Sequence, residues 1–274
     1  MIASLGHSVP PQNITCNIEA KSRHYLDRMG MYRFLGVESG VSVAEHEAAG
    51  RFIPLTQIKT SDDLTNFFTE LVPLLHLDPE HARPIQYTIS ELVRNVLEHA
   101  HSAEGTFVCA QYFKKSNTVR LGIVDRGIGL KKSLEDFYSP SDDLDAIRLA
   151  LTPGVTGTTT KIGGTEQNAG AGLFFIKTIA YMNRDPFLIY SGNAMFKLLQ
   201  RTAARIVLRG DPFMDRHSVE SNLPYWQGVV VGIDIALETV QEFTELLKSI
   251  RKFYFQAVKE THKEKPILKK PKFV

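Results

Sequence analysis

Apolar residues first fall at a regular spacing from Ser61 onward. Ser61, Asp62 and Asp63 read as an N-cap and an acidic first turn, and Leu64, Phe67, Phe68, Leu71 and Leu75 follow at helical intervals, with Pro73 as a late kink. A second helix is predicted from near Pro84 to near His101, with Ile85, Ile89, Leu92, Val93 and Val96 on its apolar face. The pattern then changes to strands over 106–113 and 118–124, joined by a Ser116-Asn117 turn. A glycine-rich turn follows Asp125, then a short helix over 142–151 and a long glycine- and threonine-rich loop over 152–169. A loop of that length inside a compact domain is usually functional. A helix over 170–182 comes next, followed by strands over 187–190, 194–199 and 205–209. The segment 225–235 is apolar almost throughout and is expected to be a central strand. An amphipathic helix over 238–255 closes the pattern.

The first 58 residues are less regular. A strand over 13–18 and a short helix over 20–29, ended by Gly30, are the readable pieces. The order of elements predicts an α+β fold: a two-layer sandwich with helices on one face of a mixed, mostly antiparallel sheet. Three parts are expected: an N-terminal arm (1–58), a main domain (59–237), and a C-terminal helix with a basic tail (238–274).

Composition narrows the class. The chain has 274 residues, 43% hydrophobic and 23% charged, which is too apolar for a disordered chain and sufficient for a sizeable core. No apolar run approaches the ~20 residues of a membrane helix, and the N-terminus lacks the basic and apolar regions of a secretory signal. Two cysteines, Cys16 and Cys109, make neither a disulfide framework nor a zinc site. A soluble, cytoplasmic protein without membrane contact is the expectation. The net charge of +2 hides an asymmetry, because residues 248–274 carry nine Lys or Arg against two Glu, a balance of +7 that leaves the rest at −5. A solvated extension is the plain reading. With no aromatic-interleaved basic stretch in the body, a nucleic-acid partner is not expected.

Three segments carry candidate chemistry. Glu91, Asn95 and His99 lie four apart on the second helix, along one stripe beside the apolar face. A carboxylate there can act as general base, and an amide oxygen can ligate Mg²⁺. Asp125 ends an apolar strand and is followed by Gly127 and Gly129, where a planar ligand can approach the backbone and donate an amine to the carboxylate. Gly163, Gly164, Gly170, Gly172 and Leu173 open a helix, and unpaired N–H groups there favour phosphate. Thr158 and Lys161, just before, read as part of a lid. Neither G-x-G-x-x-G nor the Walker sequence is present. Taken singly, these segments also read as a solvated helix face, a strand-to-turn Asp-x-Gly and a mobile loop.

Their order resembles the Bergerat-fold (histidine kinase-like, GHKL) ATPases over roughly 61–237, and the Glu91-x3-Asn95-x3-His99 form is most similar to anti-sigma-factor serine kinases and related bacterial ATP-binding proteins. The resemblance implies ATP and Mg²⁺ as cofactors. Glu91 would be the general base, Asn95 the Mg²⁺ ligand, and Asp125 the acceptor from adenine N6. Gly127 and Gly129 would line the adenine pocket, and Thr158, Lys161, Gly170, Gly172 and Leu173 would surround the phosphates. His99 receives no role. The chain departs from the family pattern at Gly228-Val229, where many members carry Gly-Thr. The stretch Tyr25-Leu-Asp-Arg-Met-Gly30 resembles the join between a STAS-like module and the ATPase, so 1–58 would be a remnant of such a module. Leu5-Gly-His7 lacks the context of a phosphoacceptor histidine.

The resemblance leads to the expectation of a Mg²⁺-dependent ATP-binding protein that hydrolyses ATP or phosphorylates a partner on Ser/Thr, with lid closure switching that partner. A STAS-like protein or a second copy of the chain would be the partner. The alternatives are an ATP-sensing interaction module without catalysis, and a nucleic-acid-associated ATPase anchored by the basic tail.

Overall fold

A computed structural model describes residues 1–6, 9–19, 22–40, 52–71, 73, 76–155, 172–202, 205–237 and 243–264. Seven strands form one sheet in the order β1-β2-β3-β7-β4-β5-β6: β1 (Phe52–Ile58), β2 (Thr106–Phe113), β3 (Thr118–Asp125), β4 (Phe187–Gly192), β5 (Ala194–Leu198), β6 (His217–Glu220) and β7 (Trp226–Ala236). Every described pairing is antiparallel. The fold is therefore mixed α and β on an antiparallel sheet. The apolar segment expected to be central is β7, which pairs with β3 on one side and β4 on the other.

Side chains alternate between the two faces of the sheet, as its period of two requires. Val108, Ala110, Val119, Leu121, Ile123, Ile189, Val231, Ile233 and Ile235 point into the main core. There they meet α4 (Ser61–Asn66), α5 (Pro79–Asn95), α7 (Asp143–Ala150) and α8 (Gly172–Asn183), through residues such as Leu64, Ile89, Ile147 and Ile176. The opposite face carries a smaller cluster of Phe107, Val124 and Trp226. Phe34 of α3 (Met31–Leu35) covers it, edge-on to Phe107 at 5.4 Å. Short helices α1 (Ile2–Gly6), α2 (Arg23–Arg28, through Leu26) and α3 pack together there with Leu55. Helical segments thus lie on both faces of the sheet rather than on one.

Helix α8 is buried nearly all round, which its sequence anticipates by having almost no polar side. Ile176 and Ala180 face the sheet, while Phe174, Phe175 and Ile179 face α9 (Phe243–Glu264) through Ile250, Tyr254 and Val258. No described helix is long and apolar enough to cross a membrane.

Several elements differ from expectation. The segment 52–58, placed before the main domain, is the edge strand β1, and its Pro54 and shifted register near Ile53–Thr56 are features an edge tolerates. Helix α5 begins at Pro79 behind Asp78, so Pro84 lies inside it, buried against the core. Residues 205–209 form no strand: the free side of β5 is taken by β6, leaving Ile206 and Val207 exposed. The segment 13–18 is unpaired, and its alternating Ile14, Cys16 and Ile18 pack on the N-terminal cluster instead. The turn after Asp125 contains a short helix, α6 (Gly129–Leu134).

Candidate functional site

The three sequence segments converge because of two close backbone approaches. After Asn95 the α-helical ladder widens into a π-turn over Val96–Ala100, a feature frequent at functional sites. Its last carbonyl, that of Ala100, accepts from the Ile128 N–H at 2.8 Å. A Cβ on Gly127 would stand 2.1 Å from that same carbonyl oxygen, so only glycine lets the Asp-x-Gly turn reach the helix end. The second approach is at the start of α8. A Cβ on Gly172 would lie 2.9 Å from Glu91 Oε2 and 3.4 Å from Asn95 Nδ2. Bare backbone at the opening of α8 therefore faces the carboxylate and the amide directly.

Between these contacts lies a cavity of about 560 Å³. Glu91, Asn95, Asp125, Gly129, Gly172 and Leu173 all line it. Gly127 does not; it packs behind the turn on Ala100. His99 also reaches the cavity, although the π-turn carries it off the regular four-residue stripe. Thr158, Lys161 and Gly170 lie outside the described residues, as do Gly163, Gly164, His7 and residues 265–274 of the basic tail.

Around Asp125 the lining is apolar, built by Ile123, Val229, Val231 and Leu134. Asp125 is 2% exposed. Burial pushes its pKa up to about 6, against N–H donors from Gly127, at 2.7 Å, and Val229. The Trp226 indole donates to the Asp125 carbonyl at 3.2 Å and so fixes the strand end. Val229 brings no hydroxyl to this end of the cavity. The nearby Ser191 hydroxyl is committed: it donates to the Gly228 carbonyl at 2.8 Å and accepts from the Leu130 N–H at 3.1 Å.

The other end is polar. Burial raises the Glu91 carboxyl, Arg94 and Arg251 pull it down, and Glu98 adds to the rise. Arg94 is itself 3.8 Å from Glu98. Sequence reasoning missed Tyr87, Arg251, Tyr254 and Phe255, all of which line this cavity. Tyr87 was findable, being four residues before Glu91 on the same stripe. The α9 residues were not, because nothing local ties them to a helix so far upstream.

The arrangement can do definite chemistry. A buried acceptor between apolar walls suits a planar base with an exocyclic amine, and the volume falls within the range of small-molecule sites. Exposed helix-start backbone beside a carboxylate and an amide suits an anion and a hard cation. Among the described residues no group of three or more His, Cys, Asp or Glu can hold a metal, so a cation here would take its remaining ligands from water and the anion. Set beside known proteins, the chain matches no family model and no curated protein.

Proposed function

We propose that this chain is a Mg²⁺-dependent ATP-binding protein of the Bergerat (histidine kinase-like) type, which hydrolyses ATP or transfers its terminal phosphoryl group to a partner hydroxyl. The observation that carries this reading is the approach of Gly172 to both Glu91 and Asn95, in a cavity whose far end holds buried Asp125. Residues from three segments far apart in sequence thereby line one cavity, which supports the reading. The packing of α4, α5, α7 and α8 on one sheet face suits the same fold type.

Within this reading each side chain has a distinct task. Asp125 accepts from the adenine amine, between Val229 and Val231 on one side and Leu134 on the other. Asn95 offers its amide oxygen to Mg²⁺, which supplies charge neutralisation on the phosphates. The first turn of α8 presents N–H groups to them, and Gly172 keeps that backbone open. Glu91, made more basic by burial, accepts the proton of the attacking water or hydroxyl.

Calorimetry with MgATP on the wild type, Asn95→Ala and Asp125→Asn tests the pocket, with phosphate release followed in Glu91→Ala. Wild-type binding that both pocket variants lose, with release lost in Glu91→Ala while its binding persists, is the expected result. No wild-type binding at millimolar MgATP overturns the reading.

A further inference from the structure

The C-terminal helix supplies a cation to the polar end of the cavity, and none of the three motifs accounts for it. Arg251 on α9 lines the same space as Glu91 and Asn95. Its neighbours fix its position. Ile250 and Tyr254 are 0% and 1% exposed, packed on Phe174 and Phe175 of α8, and Phe243 meets Tyr87 edge-on at 5.8 Å. Arg251 itself is exposed and contributes little to that packing. Its guanidinium is one of the charges that act on Glu91. Of the other basic side chains lining the cavity, Arg94 lies 3.8 Å from Glu98 and the His99 ring lies 3.8 Å from the same carboxylate. Arg251 forms no ion pair among the described residues, although Glu91 and Glu98 line the same cavity.

We propose that Arg251 is a phosphate-binding residue that reads the terminal phosphate, so that α9 favours a nucleoside triphosphate over the diphosphate. The proposal rests on the ATP reading and deepens it. The base is held at Asp125, and the end of the phosphate chain then reaches Glu91 and Asn95, where α9 forms the wall. A planar guanidinium suits a phosphate better than an ammonium does, because it donates two parallel hydrogen bonds. A diphosphate lacks the group that reaches Arg251. The last helix would then be tied to the nucleotide state.

The experiment is calorimetry of MgATP and MgADP on the full chain, comparing wild type, Arg251→Ala and Arg251→Lys, with a thermal melt of each. Arg251→Ala is expected to weaken MgATP by about tenfold, roughly 1.4 kcal/mol, and to leave MgADP within about twofold. Arg251→Lys should recover part of the loss, and the melting temperatures should agree, since Arg251 is not part of the α9 packing. Equal loss for both nucleotides, or unchanged MgATP affinity, overturns the role of Arg251 while leaving the ATP site standing. A wild type that binds neither nucleotide overturns the ATP reading, and this proposal with it.

Discussion

Asp125 receives hydrogen bonds from Gly127 and Val229 and yet titrates near 6, because a carboxylate at 2% exposure loses more hydration than two amides return. Proton binding sets the sign of the consequence. With the folded pKa above the unfolded one, the native state holds the extra proton, so stability falls as pH rises from about 4 to about 6 and is level beyond. The gap corresponds to at most about 3 kcal/mol. Urea melts at pH 4.5 and pH 7 should show this loss in the wild type relative to Asp125→Asn, which has no such titration. A ligand amine donating to the carboxylate selects the ionised form. Adenine-nucleotide affinity should therefore drop on acidification below pH 6, and calorimetry at pH 5 and pH 7 checks it. At this scale Glu91, Asn95 and Asp125 were legible because helix and strand periods are local rules. The place of Gly127 was not, since its need for glycine comes from Ala100, a contact no spacing predicts.

Helix α8 shows what an element can hide. Its run of apolar residues announces a buried helix, but Lys177 in its middle is 2% exposed and ion-paired at 2.6 Å with Asp215, itself 1% exposed. The Lys177 ammonium also sits 5.6 Å from the Phe174 ring centroid. Removing one partner of such a pair leaves a buried charge uncompensated. Lys177→Met should cost about 3–5 kcal/mol in chemical denaturation, and Lys177→Met with Asp215→Leu should regain much of it. A single variant as stable as the wild type would show that the pair carries no stability. Nothing in the sequence pairs these residues, which lie 38 positions apart. Other elements were obscured for nameable reasons. Pro54 disguised β1, and the free side of β5 was given to β6, so that 205–209, with its better strand pattern, was left without a ladder.

At the scale of the molecule, the N-terminal segment, the sheet, the α5–α8 layer and α9 are stacked in that order, and only the middle of this arrangement was readable in advance. The central position of β7 was legible from its almost wholly apolar sequence. That position matters because β7 is also the last of the described strands in sequence: among them, β1-β2-β3 on one side and β4-β5-β6 on the other are joined in the sheet only through it. A chain ending at residue 225 should show no cooperative thermal transition by calorimetry; a sharp transition would mean that one half folds alone. During synthesis, therefore, two three-stranded ladders emerge with the inner edges of β3 and β4 open, and neither can be closed until the ribosome has passed residue 236. Contacts spanning about a hundred residues form slowly, and open edges invite pairing with other chains. Until β7 is made those edges stay open, and the cavity lacks the part of its wall that Val229 and Val231 supply.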